Sequence, residues 1–226
     1  MPQEETLQLI TSDLQWIRAK SKWCKAVVDH FGMRCTTAEL ASRILLRYLL
    51  CGRCAELPTN QVVASSTPAS LRIAMIVNEQ SHMPRSELVR MGENSYTEED
   101  IRQIECHIFH CLENDIVSPT IETYVIIYLG YLENLVIGIP TPIQQVVEEL
   151  TCLAIQGLLF LEYPVQLLAL GVVVLALQLC HRQGTWEAQV SVLYVAIGVE
   201  EGSSAANVVS EVCASLVILH QLFPQY

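Results

Sequence analysis

The hydrophobic positions of this chain recur at steps of three and four residues, which is the spacing of one face of an α helix. Between residues 98 and 112, Ile101, Ile104, Ile108 and Cys111 follow this spacing. Similar stripes recur along most of the chain, while the alternation and turn residues that are typical of strands are nearly absent. The sequence therefore predicts an all-α protein.

An apolar stripe is also visible near the N-terminus. Trp16, Trp23, Val27 and Phe31 are separated by seven, four and four residues, so we expect them on one face of a helix. The acidic segment that precedes this stripe, residues 1–13, is expected to form a short N-terminal helix.

Helix start signals separate the apolar stripes. Thr36 with Glu39, and Ser95 with Glu98, have the spacing of a capping box, in which each side chain binds the other residue's free backbone N–H. A Ser or Thr precedes a proline at residues 67–68, 118–119 and 141–142. A proline in the first helical turn gives up an N–H that has no partner there. We predict helix starts at these points, with a loop and at most one short helical turn between residues 51 and 67.

The predicted helices fall into two sets of five. After the N-terminal segment, the first set spans residues 14–117 and the second spans residues 118–226. Each set contains one strongly apolar helix, as expected for the buried member of a bundle. A bundle of this length with two five-helix repeats belongs to a small class of folds.

The most apolar stretch of the second set is residues 164–180. It is shorter than the ~20 apolar residues that a membrane-spanning helix requires, and it contains Gln166 and Gln178. A helix that is surrounded by other helices explains this stretch better than a membrane span. We therefore expect no membrane partner.

The amino-acid composition and net charge of the chain exclude some classes of function but do not identify one. Hydrophobic residues make up 51% of the 226 residues and charged residues 16%, which suffices for a large core. The formal net charge of −11 argues against direct nucleic-acid binding, which needs many phosphate-neutralising side chains, and it favours a basic protein partner. The N-terminus lacks the pattern of a secretory signal and the nine cysteines are scattered, so we expect free thiols in the nucleus or cytosol.

No motif predicts catalysis, a cofactor or a metal. The chain contains no G-x-S-x-G elbow, no phosphate-binding glycine loop and no H-E-x-x-H pair, so we expect no enzymatic activity. Cys51 and Cys54 have the spacing of half a zinc site, and Cys106 and His110 lie one helical turn apart. Neither pair is accompanied by the further ligands that a structural zinc ion requires.

Residues 23–49 resemble the start of a cyclin box. Cyclins have a Trp in the first helix and a D-R-F-L tetrapeptide at the end of the second. Here Trp23 and the tetrapeptide Leu46-Arg47-Tyr48-Leu49 lie at the same separation. The resemblance covers nearly the whole chain and implies the cyclin fold, two consecutive five-helix cyclin-box repeats.

The second half is similar to one group within that family. Residues 121–131 and 167–220 resemble the C-terminal part of the meiotic crossover cyclins, the cyclin N-terminal domain-containing group. Those proteins localise to crossover sites on paired meiotic chromosomes, and are thought to act there with a cyclin-dependent kinase. The resemblance implies a nuclear protein of meiotic chromosomes with two kinds of partner, a cyclin-dependent kinase and meiotic recombination proteins.

The resemblance also implies a kinase-binding surface. In cyclins a Lys of the third helix and a Glu of the fifth bind the mobile helix of the kinase and move it into its active position. These positions correspond to Asn78 and Glu105, with Met75, Phe109 and Ile116 as apolar contacts. Asn lacks the charge and reach of Lys, so we expect kinase affinity to be lower by roughly tenfold or more. A solvated carboxylate on a helix surface is the alternative interpretation of Glu105.

The substrate-docking motif of cell-cycle cyclins is altered. Their M-R-A-I-L corresponds here to Trp16-Ile17-Arg18-Ala19-Lys20. Lys20 replaces the Leu that lines the docking groove, so an apolar substrate side chain would meet an ammonium group. We expect no ordinary recruitment of R-x-L substrates. Trp16 is a candidate partner anchor, whereas Trp23 is expected to pack in the core.

Three hypotheses about function follow. The leading one is a meiotic regulatory subunit of a cyclin-dependent kinase, which binds through Glu105 and its neighbours. The alternative is a scaffold that uses the cyclin fold to bind recombination proteins without a kinase, as Asn78 and the altered docking motif would favour. A transcription-factor-type or viral cyclin homologue is a third, weaker possibility.

Overall fold

The computed structural model describes the backbone of residues 2–51, 59–80, 83–135, 142–180, 186–200 and 202–222, and the side chains of these ranges except residues 2–14, 59, 60, 63, 135 and 222. The chain divides into two compact units, Met1–Ser118 and Pro119–Tyr226. The described residues form ten α helices and one 3-10 turn, and none of them lies in a strand. The predicted all-α fold is confirmed.

Each unit contains five of these helices. The helices of the first unit are α1 (Pro2–His30), α2 (Cys35–Leu50), α3 (Thr59–Asn78), α4 (Arg85–Met91) and α5 (Glu98–Cys111). Those of the second unit are α6 (Ile121–Leu135), α7 (Ile143–Gln156), α8 (Val165–Cys180), α9 (Trp186–Ile197) and α10 (Ser204–Leu222), with the 3-10 turn Leu159–Leu161 between α7 and α8.

The core of the first unit is built around α3. This helix packs against α1, α2 and α5, and α4 packs against α5. The largest fully buried side chains of this unit come from α2, α3, α4 and α5, and include Leu40, Tyr48, Met75, Leu88 and Ile104. The predicted stripe of α5 is confirmed, since Ile101, Ile104 and Ile108 are all completely buried.

The first helix differs from its prediction in length and in its buried face. Residues 2–30 form one continuous helix, so the expected short N-terminal helix is not a separate element. The buried face contains Ile17, Cys24 and Val28, and Phe31 lies beyond the helix end with 42% of its surface exposed. The predicted stripe is therefore confirmed in part, since Val27 is 3% exposed and belongs to the core and Trp23 packs against the core, whereas Phe31 does not.

The predicted helix start at Thr67-Pro68 is wrong, because Pro68 lies inside α3. A proline within a helix lacks the N–H of one backbone hydrogen bond and normally bends or ends the helix. Here the residues on both sides are buried, with Thr67 2% exposed and Ala69 fully buried. Packing against the surrounding helices stabilises α3 through the proline, and this contribution is invisible in the local sequence.

The predicted capping box of Thr36 and Glu39 is also wrong. Arg34 occupies the N-cap of α2 and makes no side-chain capping bond. Instead the carboxylate of Glu79, immediately after α3, accepts hydrogen bonds from the backbone N–H of Arg34 at 3.1 Å and from the Thr37 hydroxyl. The cap of α2 is therefore a tertiary contact.

The capping box of α5 exists, but two residues after the predicted pair Ser95 and Glu98. The Thr97 hydroxyl accepts a hydrogen bond from the backbone N–H of Asp100, and the Asp100 carboxylate accepts one from the backbone N–H of Thr97. The reciprocal bonds satisfy two N–H groups that have no partner within the helix.

The second unit is organised around α8, which packs against α6, α7 and α10. Residues 168–177 of this helix are all buried, which confirms residues 164–180 as the location of a buried helix. Among the described residues, no helix is both long enough and apolar enough to span a membrane.

Candidate functional site

The candidate kinase-binding residue Glu105 is a buried carboxylate that two arginines bind. Glu105 is 6% exposed. Nη1 of Arg72 on α3 donates a hydrogen bond to Oε1 of Glu105 at 2.9 Å. Nε of Arg85, at the start of α4, lies 3.1 Å from Oε2, and Nη2 of Arg85 also donates to this oxygen. The side chain is therefore not the solvated carboxylate of the alternative interpretation.

The three charges give this cluster a net positive charge of one. The side chain of Arg72 is 12% exposed, whereas that of Arg85 is 30% exposed. Glu105 compensates the desolvation of Arg72, and Arg85 retains contact with solvent. Because a guanidinium group has five N–H donors in a planar array, Arg85 can hydrogen-bond an acceptor on a partner while it remains bound to Glu105.

Helices α3 and α5 pack against each other, and polar side chains link them at two places. Gln61, near the start of α3, bonds to Asp100 and Gln103, near the start of α5. Arg72 and Glu105 meet further along both helices.

Exposed apolar side chains lie one turn beyond the cluster. Ile76 follows Arg72 by one turn and is 51% exposed, and Phe109 follows Glu105 by one turn and is 38% exposed. Val77, beside Ile76, is also exposed. Together with Arg85 these residues form what we call the α3–α5 surface. Exposed apolar groups with a polar rim are typical of protein-binding surfaces.

The other predicted interface residues have different environments. Met75 is completely buried and Ile116 is 4% exposed, and both belong to the core of the first unit. Asn78, the last residue of α3, is half-buried. Of the five predicted residues, Phe109 therefore offers the largest accessible apolar surface. The kinase-binding role of all five stays a prediction.

Arg72 and Arg85 are not among the site residues predicted from the sequence. A signal was available for Arg72, which is the only charged residue of α3 between Thr59 and Asn78 and lies between buried apolar positions. An isolated charge on a largely buried helix requires a partner. The identity of that partner depends on how α3 and α5 pack, so the sequence alone did not reveal it.

The altered docking motif, residues 16–20, lies in the middle of α1. Ile17 is 4% exposed and belongs to the buried face. The Lys20 ammonium lies 5.4 Å from the centroid of the Trp16 ring, within the range of a cation–π interaction. Trp23 is partly buried against the core, as predicted. Lys20 therefore covers the ring of the candidate anchor Trp16, and partner binding there stays a prediction.

The cysteines and histidines of α5 do not assemble the suggested zinc site. Cys106 and His110, the pair one turn apart, are both exposed. His107 instead lies 3.7 Å from the sulfur of Cys111, and its Nδ1 lies 2.9 Å from the Tyr48 hydroxyl. Within the described ranges, no three His, Cys, Asp or Glu side chains are grouped as a metal site would require.

The second suggested zinc pair lies mostly outside the described residues. Cys51 directly follows α2 and its thiol donates a hydrogen bond to the carbonyl of Tyr48 at 2.9 Å. Cys54 falls in residues 52–58, outside the described ranges. The described cysteines are all free, and burial raises the pKa of the Cys24 thiol to about 12, so this thiol stays protonated.

Comparison with known protein families identifies the first unit. Residues 3–117 match the cyclin N-terminal domain family, which is just over half of the chain and includes α3, α4 and α5. No curated protein matches the chain.

Proposed function

Because this chain belongs to the cyclin family, a family of regulatory proteins, we propose that it binds and regulates a cyclin-dependent kinase during meiotic crossover formation. The observation that supports kinase binding is the α3–α5 surface. It combines the exposed apolar side chains of Ile76, Val77 and Phe109 with the partly exposed guanidinium of Arg85.

Arg85 supplies a cation that Asn78 does not. Where a cyclin has a Lys at the position of Asn78, that Lys presents a positive charge to the mobile helix of the kinase. In this chain the positive charge belongs to the cluster of Glu105, Arg72 and Arg85. Backbone carbonyls at the end of the kinase helix, or an acidic side chain there, are suitable acceptors for Arg85. The α3–α5 surface thus provides a charged contact beside apolar ones.

The meiotic assignment comes from the second unit. Residues 121–131 and 167–220 carry the similarity to the meiotic crossover cyclins. We propose on this basis that the protein acts in the nucleus, at crossover sites on meiotic chromosomes, together with recombination proteins.

Co-purification with a panel of cyclin-dependent kinases, followed by histone phosphorylation, tests kinase binding. A stable and active pair is the expected result for the wild-type chain. Phe109→Asp should prevent pairing, because it places a charge in the apolar contact. Val195→Asp is the matched control, since Val195 is 81% exposed on α9 of the second unit. Absence of any pairing with a folded wild-type protein would refute the proposed kinase binding.

A scaffold that binds recombination proteins without a kinase is the second candidate function. Two observations favour it: Glu105 already uses both oxygens within the chain, and residues 119–226 contain nine acidic residues but one basic residue, Arg182. The described part of this unit also exposes apolar side chains, such as Ile126 and Ile218. Such a surface complements a partner with basic and apolar residues.

Crossover formation in cells that carry Phe109→Asp distinguishes the two functions. If the chain acts through a kinase, the variant should reduce crossovers while the protein remains present. Normal crossover numbers with this variant would favour the scaffold.

A further inference from the structure

Ser118 is followed by Pro119 in the segment that connects α5 and α6. Residues 115–120 of this segment have no regular secondary structure. Val117 is 67% exposed and Pro119 is also exposed. The two residues adjacent to Ser118 are therefore accessible. Ser118 itself is half-buried, and Ile116 and Thr120 are buried, so a kinase reaches the hydroxyl when this irregular segment detaches locally from the core.

We propose that Ser118 is a phosphorylation site for a proline-directed serine/threonine kinase, and that the phosphate binds Arg47 of α2. This inference goes beyond the proposed function, because it requires only that a kinase modifies the chain and not that one binds it stably.

Arg47 already contacts the side chain that would be modified. Its Nη1 donates a hydrogen bond to the Ser118 hydroxyl oxygen at 2.8 Å, and its Nη2 donates to Oδ2 of Asp115 at 2.7 Å. The three residues belong to the first unit. A phosphate on Ser118 would thus be attached beside a guanidinium group, whose planar donors suit phosphate oxygens.

The reaction is an ordinary phosphoryl transfer from ATP. The Ser118 oxygen attacks the γ-phosphorus of ATP and forms an O–P bond. The bond between the γ-phosphorus and the oxygen that bridges it to the β-phosphate breaks. The proton of the hydroxyl passes to the catalytic Asp of the kinase, and ADP leaves. The products are ADP and phosphoserine, which carries about −1.5 to −2 charges at neutral pH.

The new charge would change the partner of Arg47. The Asp115 side chain is 72% exposed, so this carboxylate can move into water at little cost. The phosphate carries more negative charge than Asp115 and repels it. Arg47 would therefore exchange the carboxylate for the phosphate, and residues 115–118 of the first unit would be held to α2 by a stronger pair.

The other described Ser/Thr-Pro pair does not offer a comparable site. Thr67 is 2% exposed and lies within α3, where a kinase cannot reach its hydroxyl. Thr141 precedes Pro142 but lies outside the described ranges, and it serves as a control in the experiment.

The first experiment maps the phosphate. The full chain is incubated with ATP, magnesium and a purified proline-directed kinase, and phosphopeptides are identified by mass spectrometry. Phosphate on Ser118 is expected in the wild type and in Thr141→Ala, and its loss is expected in Pro119→Ala. A peptide of residues 112–125 serves as the control for kinase activity. The proposal is overturned if the kinase modifies this peptide but leaves Ser118 of the folded full chain unmodified.

The second experiment tests the pairing with Arg47. Phosphorus NMR measures the second pKa of the phosphate, which is ordinarily ~6. A guanidinium partner stabilises the dianion, so a lower pKa is expected in the wild type than in Arg47→Gln. The phosphorylated peptide of residues 112–125 lacks Arg47, so its phosphate pKa should be higher than that of the folded wild-type chain. The same phosphate pKa in the folded chain and in this peptide would refute pairing even if Arg47→Gln failed to fold.

Discussion

Arg72 of α3 and Glu105 of α5 form a buried ion pair, in which Nη1 of Arg72 lies 2.9 Å from Oε1 of Glu105. Their side chains are 12% and 8% exposed. Arg85 binds the second carboxylate oxygen. The residue that the family resemblance selects for partner binding is therefore also a structural link between three helices, and its substitution affects both properties.

Glu105→Ala should destabilise the first unit by about 3–5 kcal/mol, because it leaves the Arg72 guanidinium buried without its carboxylate partner. Thermal and urea unfolding, followed by circular dichroism, measure the loss. Glu99→Ala is the control, since Glu99 pairs with Arg102 at the surface of the same helix and its loss should have little effect. Wild-type stability of Glu105→Ala would show that the ion pair does not contribute to folding.

Asn78→Lys should strengthen kinase association by about tenfold, since it restores a charge-assisted hydrogen bond to the partner. Isothermal titration with the kinase that co-purifies measures the change in Kd. Asn134→Lys, on the exposed surface of α6, adds the same charge in the other unit and should leave Kd unchanged. Weaker binding by Asn78→Lys would indicate that the end of α3 faces something other than the kinase.

Gly171→Ala should destabilise the second unit by about 1–3 kcal/mol, because the added methyl group would overlap a packed neighbour. A Cβ at Gly171 on α8 would lie 2.9 Å from Cβ of Val212 on α10, and closer still to its Cγ1. Gly130→Ala on α6 is the matched control. Its Cβ would have no neighbour within 4 Å, so the better helix propensity of Ala should stabilise the unit by about 0.5–1 kcal/mol. Equal melting temperatures for the two variants would contradict close packing of α8 on α10.

The capping box of α5 should contribute to acid sensitivity. Hydrogen bonds from Thr97 hold the pKa of Asp100 below its ordinary value of 3.8. Because the folded pKa is lower than the unfolded one, the stabilisation is fully present above pH 3.8 and is lost as the pH falls through the folded pKa. Asp100→Asn should therefore unfold at a lower urea concentration than the wild type at neutral pH, with the difference shrinking in acid. A constant difference at all pH values would exclude this titration as its source.

Thr97→Ala removes the other half of the same box and should cost about 1 kcal/mol at neutral pH. Hydrogen exchange of the first-turn amides of α5 reports the local effect. Ser95→Ala is the control because Ser95 lies before the helix and is exposed. Equal amide protection in the two variants would mean that Thr97 does not cap the helix.

The helical content, the buried face of α5 and the buried helix α8 are predictable from the sequence alone. The periodic positions Ile101, Ile104 and Ile108 are completely buried in α5, and the apolar run at residues 164–180 contains the buried helix α8. These features depend on the spacing of neighbouring residues along one helix, which is why a single sequence reveals them. The resemblance to cyclins likewise rested on local residue patterns, and the family match over residues 3–117 agrees with it.

Other features depend on residues far apart in the sequence and follow only from the packing of the helices. Pro68 lies within a helix because surrounding helices bury its neighbours. Glu79 caps α2 across more than forty residues, and Glu105 is bound by arginines 33 and 20 residues away. Local propensity contributes less than a few kcal/mol at each such position, whereas burial and ion pairing contribute comparable or larger energies. Whether Glu105 is a free acceptor or an internal ion-pair partner therefore follows from the packing of α3, α4 and α5 and not from its place in a motif.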